Sequence, residues 1–331
     1  MNGRIRIAGA GAVSPAGWGV RHLLDVCDAD NARCETSLLE RGDVISPVMR
    51  VPAAPPGVVP RLPRLRRVSP ITKFAAAAAI EALGTREDTT NIGIVFCLSN
   101  GCVNYSNRFF TEALENPSTA SPILFPETVF NAPASHLSAM LGSRAPNDTL
   151  ISDGAGFFCG MDLAVDWLLR GEVAGVLVVC AEEIDWLSAE GLRLYHGDLV
   201  SAEGAAALFL EAGDGPGVDL LRLPDPVPFS RVPRHNATTA LRDTLAVDDD
   251  GGTLLVDGRT GIPSIDAAES TAWADWAGPR WSPRMRIGES MGASAGLQCA
   301  AAVAAVAAGR FARAVVTVTG SNQQAGGMVA G

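Results

Sequence analysis

Short, wholly apolar stretches alternate with Ala-rich stretches of helical length, and no other feature of this chain narrows its fold as far. Strands are expected at Ile5–Ala10, Ile92–Leu98, Thr149–Ser152, Gly175–Cys180 and Ala206–Leu210. Further strands are expected at Thr253–Asp257, Met285–Gly288 and Ala314–Thr319. Helices are expected at Ile71–Leu83, Ala134–Leu141, Phe157–Arg170 and Ala293–Ala308. Strands this apolar are buried on both faces, which predicts an α/β fold. The order strand, helix, strand recurs over 149–180 and 285–319, a pattern expected of an internal duplication. The Gly/Pro/Asp-rich stretch Glu211–Pro228 reads as a boundary between two parts, 1–214 and 215–331, and Pro47–Pro63 as a Pro-rich loop.

The 331 residues are 47% hydrophobic and 19% charged, enough to bury a substantial core. A net charge of −10 argues against nucleic acid or an anionic membrane as the main partner. No apolar run reaches the roughly 18 residues of a membrane span, and the N-terminus lacks a signal-like apolar core, so a cytoplasmic protein is expected. Seven scattered cysteines form no CxxC pair and four histidines lie far apart, so neither a metal site nor a cofactor is expected. Gly9 and Gly11 in AGAGAV lack the third glycine of a dinucleotide fingerprint; a tight turn after the first strand is expected instead.

Residues 149–171, TLISDGAGFFCGMDLAVDWLLRG, run from strand through a Gly-rich turn into a helix. Several enzyme folds present a nucleophile this way, yet Asp153-Gly154-Ala155-Gly156 offers none. Cys159 lies inside the helix, on a polar stripe with Asp162 and Asp166. Those carboxylates should raise its pKa, which favours a packed thiol over a displaced nucleophile.

Several stretches together resemble the β-ketoacyl synthases, condensing enzymes of the thiolase fold. RIAGAGAVSPAGWG is similar to their first strand and turn, and RLRRVSPITKFAAAAAIEAL (64–83) to their basic, Ala-rich helix. FNAPASHLSAMLG (130–142), SAEGAAALFLE (201–211) and RIGESMGASAG (286–296) follow in the family's order. The resemblance implies a duplicated, thiolase-like α/β/α/β/α five-layered sandwich.

It also implies a catalytic set of one cysteine and two histidines. A thiolate at a helix N-terminus takes the acyl chain, and the histidines assist decarboxylation and stabilise the enolate. Carried onto this sequence, the cysteine falls on Gly154, the first histidine on Gly258 in GRTGIP, and the second on Glu289. The lysine upstream of it falls on Arg284. The set is absent, and the Gly-rich gating loop reads Gln323-Gln324-Ala325-Gly326-Gly327 without its phenylalanine.

The reading that follows from the resemblance is a chain-length-factor-like partner subunit, inactive alone. It would pair with an active β-ketoacyl synthase subunit and meet an acyl carrier protein in fatty acid, polyketide or polyene biosynthesis. Arg61, Arg64, Arg66, Arg67 and Lys73 are candidate carrier-docking residues. Phe109, Phe110, Phe130 and Phe157 are candidate tunnel or interface aromatics, with Asn131–Gly142 and Thr149–Ser152 as candidate partner contacts. Two alternatives stay open. One is a divergent acyl-thioester hydrolase or acyltransferase using Asp153, Glu289 and Cys159 in one pocket. The other is a homodimeric acyl-carrier or scaffold-binding protein without turnover.

Overall fold

The computed structural model describes residues 3–29 and 32–331. Its main strands fall into two sets. The first comprises β1 (Ile5–Ser14), β2 (Ile92–Leu98), β3 (Asn147–Ile151), β4 (Gly175–Glu182) and β5 (Gly204–Ala212). The second comprises β6 (Val218–Arg222), β7 (Thr253–Val256), β8 (Arg280–Trp281), β9 (Arg313–Thr319) and β10 (Gln324–Ala330). Across the hydrogen-bonded path the order is β8-β7-β9-β10-β6, then β1-β5-β4-β2-β3. Within each set the first strand lies beside the fifth, then come the fourth, second and third. In both sets the second strand is parallel to its two neighbours and the fifth is antiparallel to the strands beside it. A repeated order with repeated polarity is the topological mark of a duplicated unit.

Helices fill three layers. They are α1 (Val20–Asp28), α2 (Pro70–Leu83), α3 (Val103–Glu115), α4 (Ala132–Leu141) and α5 (Gly156–Leu169), followed by α6 (Trp186–Tyr195), α7 (Arg234–Leu245), α8 (Pro263–Ala272), α9 (Pro283–Ile287) and α10 (Ser294–Ala307). The central core packs α5 and α10 against residues of both strand sets, among them Val95, Val178 and Leu208 on one side and Val256, Val316 and Met328 on the other. A second core sets α2 and α4 on the far face of the first set, and a third sets α7 and α8 on the far face of the second. The layering is therefore α/β/α/β/α. The whole of β2 and β4 is buried, as their uninterrupted apolar sequences require.

Several local expectations change. The Gly9 and Gly11 segment is not a turn: β1 continues to Ser14. An added Cβ would come within 2.0 Å of the Ala82 carbonyl oxygen at Gly9 and 2.1 Å of that of Ala78 at Gly11, so these glycines let α2 lie directly on the strand. Met285–Gly288 is not a strand. Pro283 opens the short helix α9 there, in the first-turn position where a missing N–H costs nothing. The boundary stretch Glu211–Pro228 holds β6, whose antiparallel pairing with β1 and β10 stitches the two sets together. The Pro-rich loop is shorter than expected, because a hairpin of Ser37–Arg41 and Val44–Met49 takes its start. Among the described residues, no helix is long and apolar enough to cross a membrane.

Candidate functional site

The edge strand β3, NDTLI and largely exposed, delivers the chain into the turn Asp153–Ala155, and α5 begins at Gly156. Gly154 sits in that turn, at the floor of a cleft of about 300 Å³ lined also by Ser99, Ile151, Asp153, Tyr195 and Gln323. The cleft stops at Gly154. A Cβ there would lie 3.0 Å from the backbone carbonyl oxygen of Met291, closer than nearly all real Cβ contacts. Met291 is one of the two non-glycine described residues with positive φ, at 45°, a conformation a branched or bulky side chain adopts only when its surroundings impose it.

Glu182 lies beneath the next residue, Gly292. Its buried carboxylate accepts the backbone N–H groups of Ser99 and Asn100, and an added Cβ on Gly292 would lie 2.6 Å from its Oε1. Burial pushes Glu182 up to about 8, against the opposing pull of those N–H groups; the adjacent Glu183 adds to the rise.

Behind Gly154 lie Gly258 and Glu289, the two other positions onto which the resemblance carries the catalytic set. Glu289 is buried and forms an ion pair with Arg284. Its other oxygen accepts the Met291 N–H at 2.7 Å and the Ser294 hydroxyl at 2.8 Å. Arg284 donates to the Gly258 carbonyl at 2.6 Å, and the Gly258 N–H donates to Glu269 at 3.1 Å. A side chain at 258 would start 2.9 Å from the Glu269 carboxylate and 3.3 Å from the Arg284 guanidinium. The space left among Gly154, Arg284, Glu289, Ser294 and Thr319 is about 10 Å³, room for about one water and no acyl group. Burial also raises the Glu269 pKa, and the Asp257 carboxylate raises it further.

Gly154, Arg284 and Glu289 are thus brought together, with Gly258 one hydrogen bond away. The expectation that Asp153, Glu289 and Cys159 share one pocket fails. Asp153 lines the open cleft, Glu289 the closed remnant, and Cys159 a separate surface depression with Asp162 and Asp166. The Asp153 carboxylate is already engaged, accepting the N–H groups of Gln323 at 3.0 Å and Asn322 at 3.3 Å. The Cys159 thiol contacts the Gln324 amide, and burial pushes its pKa up.

The candidate aromatics separate. Phe157 is fully buried between Phe158 and Gly296 and lines neither pocket nor surface, because α5 is the central layer of the sandwich. Phe109 packs its ring on Phe125, while Phe110 and Phe130 are exposed. Leu114, Ile123 and Phe125 are exposed as well, and β3 is the edge strand of its set. Arg61, Arg64, Arg66 and Arg67 are exposed around the helical turn Pro63–Arg66, and Lys73 is half-buried in α2. The sequence carried no sign of the Met291 carbonyl or of Glu182, since both act through tertiary contacts of an ordinary-looking strand end and turn.

The sequence profile described as the β-ketoacyl synthase N-terminal domain matches residues 47–221. No curated protein sequence matches the chain. Among solved structures, the ishigamide ketosynthase/chain length factor superposes with a TM-score of 0.85 at 20% identity, covering 99% of each chain. A ketosynthase in complex with its chain length factor from Xenorhabdus doucetiae gives 0.78 at 13% identity, over 99% of this chain and 98% of that one. A type II polyketide synthase acyl-carrier protein in complex with its hexaketide-bound ketosynthase gives 0.78 at 14%, over 100% and 99%. At these identities the superpositions establish the thiolase-like layering, and the profile, which spans more than half the sequence, makes this chain a member of the β-ketoacyl synthase family.

Proposed function

We propose that this chain is a non-catalytic, chain-length-factor-like subunit that pairs with an active β-ketoacyl synthase and works on acyl groups borne by an acyl carrier protein in the cytoplasm. The observation that carries this reading is the filled cradle: the Met291 carbonyl stands over Gly154, and the Arg284–Glu289 pair leaves about 10 Å³ where a thioester and two imidazoles would have to fit. A carboxylate at 289 would also oppose the negative charge that develops on an enolate.

Three further features support it. The edge of β3 and the apolar surface around Phe110 and Phe130 suit a large, permanent partner. The two solved structures described above whose descriptions name a chain length factor also name a ketosynthase. The exposed arginines around Pro63–Arg66 suit an acidic carrier protein. Each of the proposed halves, 1–214 and 215–331, holds one full set of five strands.

The test is co-expression with the condensing-enzyme subunit encoded in the same gene cluster, followed by native mass measurement. A one-to-one complex is expected, with acyl label found only on the other subunit. A second reading, an acyl-thioester hydrolase or acyltransferase, draws on Asp153, which lines the open cleft. A homodimer that turns over an acyl thioester alone would favour it.

A further inference from the structure

A cavity of about 370 Å³ opens between α3 and the start of α6, lined by residues distinct from those of the Gly154 cleft. Val103, Phe109, Phe110 and Leu187 give it apolar walls, and Asp185 lines it with no lysine or arginine among the lining residues. Asp185 is 5% exposed. Its Oδ1 caps α6 by accepting the Ser188 N–H at 2.9 Å, and the Asp185 N–H donates to the Ser188 hydroxyl at 3.0 Å, a complete capping box. Its Oδ2 has essentially no accessible surface and accepts no hydrogen bond from any described residue. Helix capping uses one carboxylate oxygen; the second is left over.

We infer that this cavity receives a lysine or arginine side chain of the partner subunit, whose cationic tip donates to Asp185 Oδ2; the inference rests on the partner reading above. A long cationic side chain matches both halves of the site. Its aliphatic stem lies along Phe109, Phe110 and Leu187, and its charged end meets the one unpaired carboxylate oxygen. An acyl tail matches only the walls, because it brings no donor and leaves Oδ2 buried and unpaired. Because Oδ2 is closed off in the free chain, the tip reaches it only as the wall opens, and Phe110 and Leu187, 63% and 56% exposed, are the wall residues least held by packing. Phe110 is at once a wall of the cavity and one of the exposed aromatics of the face proposed for the partner.

The experiment measures the dissociation constant of this chain and the synthase subunit from the same gene cluster, at low and high salt. Asp185→Asn keeps the cap and the shape but removes the charge. Asp185→Ser keeps a capping acceptor and deletes the second oxygen. Both variants are expected to weaken the complex on the order of tenfold to a hundredfold, with thermal unfolding of the free chain unchanged. Asp185→Asn is also expected to lose part of the salt dependence. Equal affinity and equal salt response in wild type and both variants would overturn the inference while leaving the partner reading intact. A wild-type chain that ignores the synthase subunit would overturn both, whether or not it dimerises with itself.

Discussion

Arg284 holds its guanidinium against the Glu289 carboxylate beside Gly154, and neither side chain is more than marginally exposed. Buried ion pairs contribute little net stability when intact but are costly to break, since the remaining charge has no water to turn to. Glu289→Ala is therefore expected to cost about 3–5 kcal/mol in urea unfolding. Replacing both residues, Arg284→Met with Glu289→Leu, should recover most of the loss. A single-variant cost below about 1 kcal/mol would mean that the pair does not close the site.

Gly154→Cys places a thiol where the resemblance puts the family's nucleophile, without changing its surroundings. The new Cβ starts 3.0 Å from the Met291 carbonyl oxygen, so overpacking should cost about 1–3 kcal/mol. Intact mass after incubation with an acyl-carrier thioester is expected to show no adduct. A stoichiometric acyl adduct would contradict the closed cradle.

Acid should stabilise this chain relative to mildly alkaline conditions. Glu182 is raised from 4.5 to about 8 by burial, so across that interval the folded chain keeps a proton that the unfolded chain has released. The stability it contributes is present at low pH and is lost as pH rises toward 8, at a slope of at most about 1.4 kcal/mol per pH unit per group. Glu269 is shifted in the same direction. Unfolding free energy should fall between pH 5 and pH 8, and Glu269→Gln should make that fall shallower. Stability that rises over this interval would refute the assignment.

Reversing charge at Arg64 and Arg67, both exposed beside the turn Pro63–Arg66, should weaken acyl carrier protein binding on the order of tenfold at low ionic strength. The difference should vanish at high salt, where exposed charges are screened within a few ångströms. Titration calorimetry at two salt concentrations checks this, and unchanged affinity at low salt would remove the cluster from the docking surface.

What the sequence disclosed depended on how local each signal was. Ile92–Leu98 was legible to the residue, because a buried strand writes its burial into every position. α2, expected at Ile71–Leu83 and found at Pro70–Leu83, was legible to within one residue because its alanine run is written into the local sequence. β6 was hidden among glycines and prolines, since its partners β1 and β10 lie far away in sequence. Helices α7 and α8 were missed because polar residues interrupt their apolar faces. At the site, Gly154 and Gly258 were singled out only by matching motifs. What occupies the space around them could not be read, because Arg284 and Glu289 meet across the α9 end and Met291 contributes only backbone.

On the proposed reading, the pair formed by Arg284 and Glu289 also acts as a ratchet. A histidine at position 289 would leave the buried Arg284 guanidinium without its carboxylate, and a lysine at 284 would give up the forked geometry that reaches Glu289 and the Gly258 carbonyl together. Each single substitution toward the family's catalytic set would therefore cost stability before it could supply chemistry.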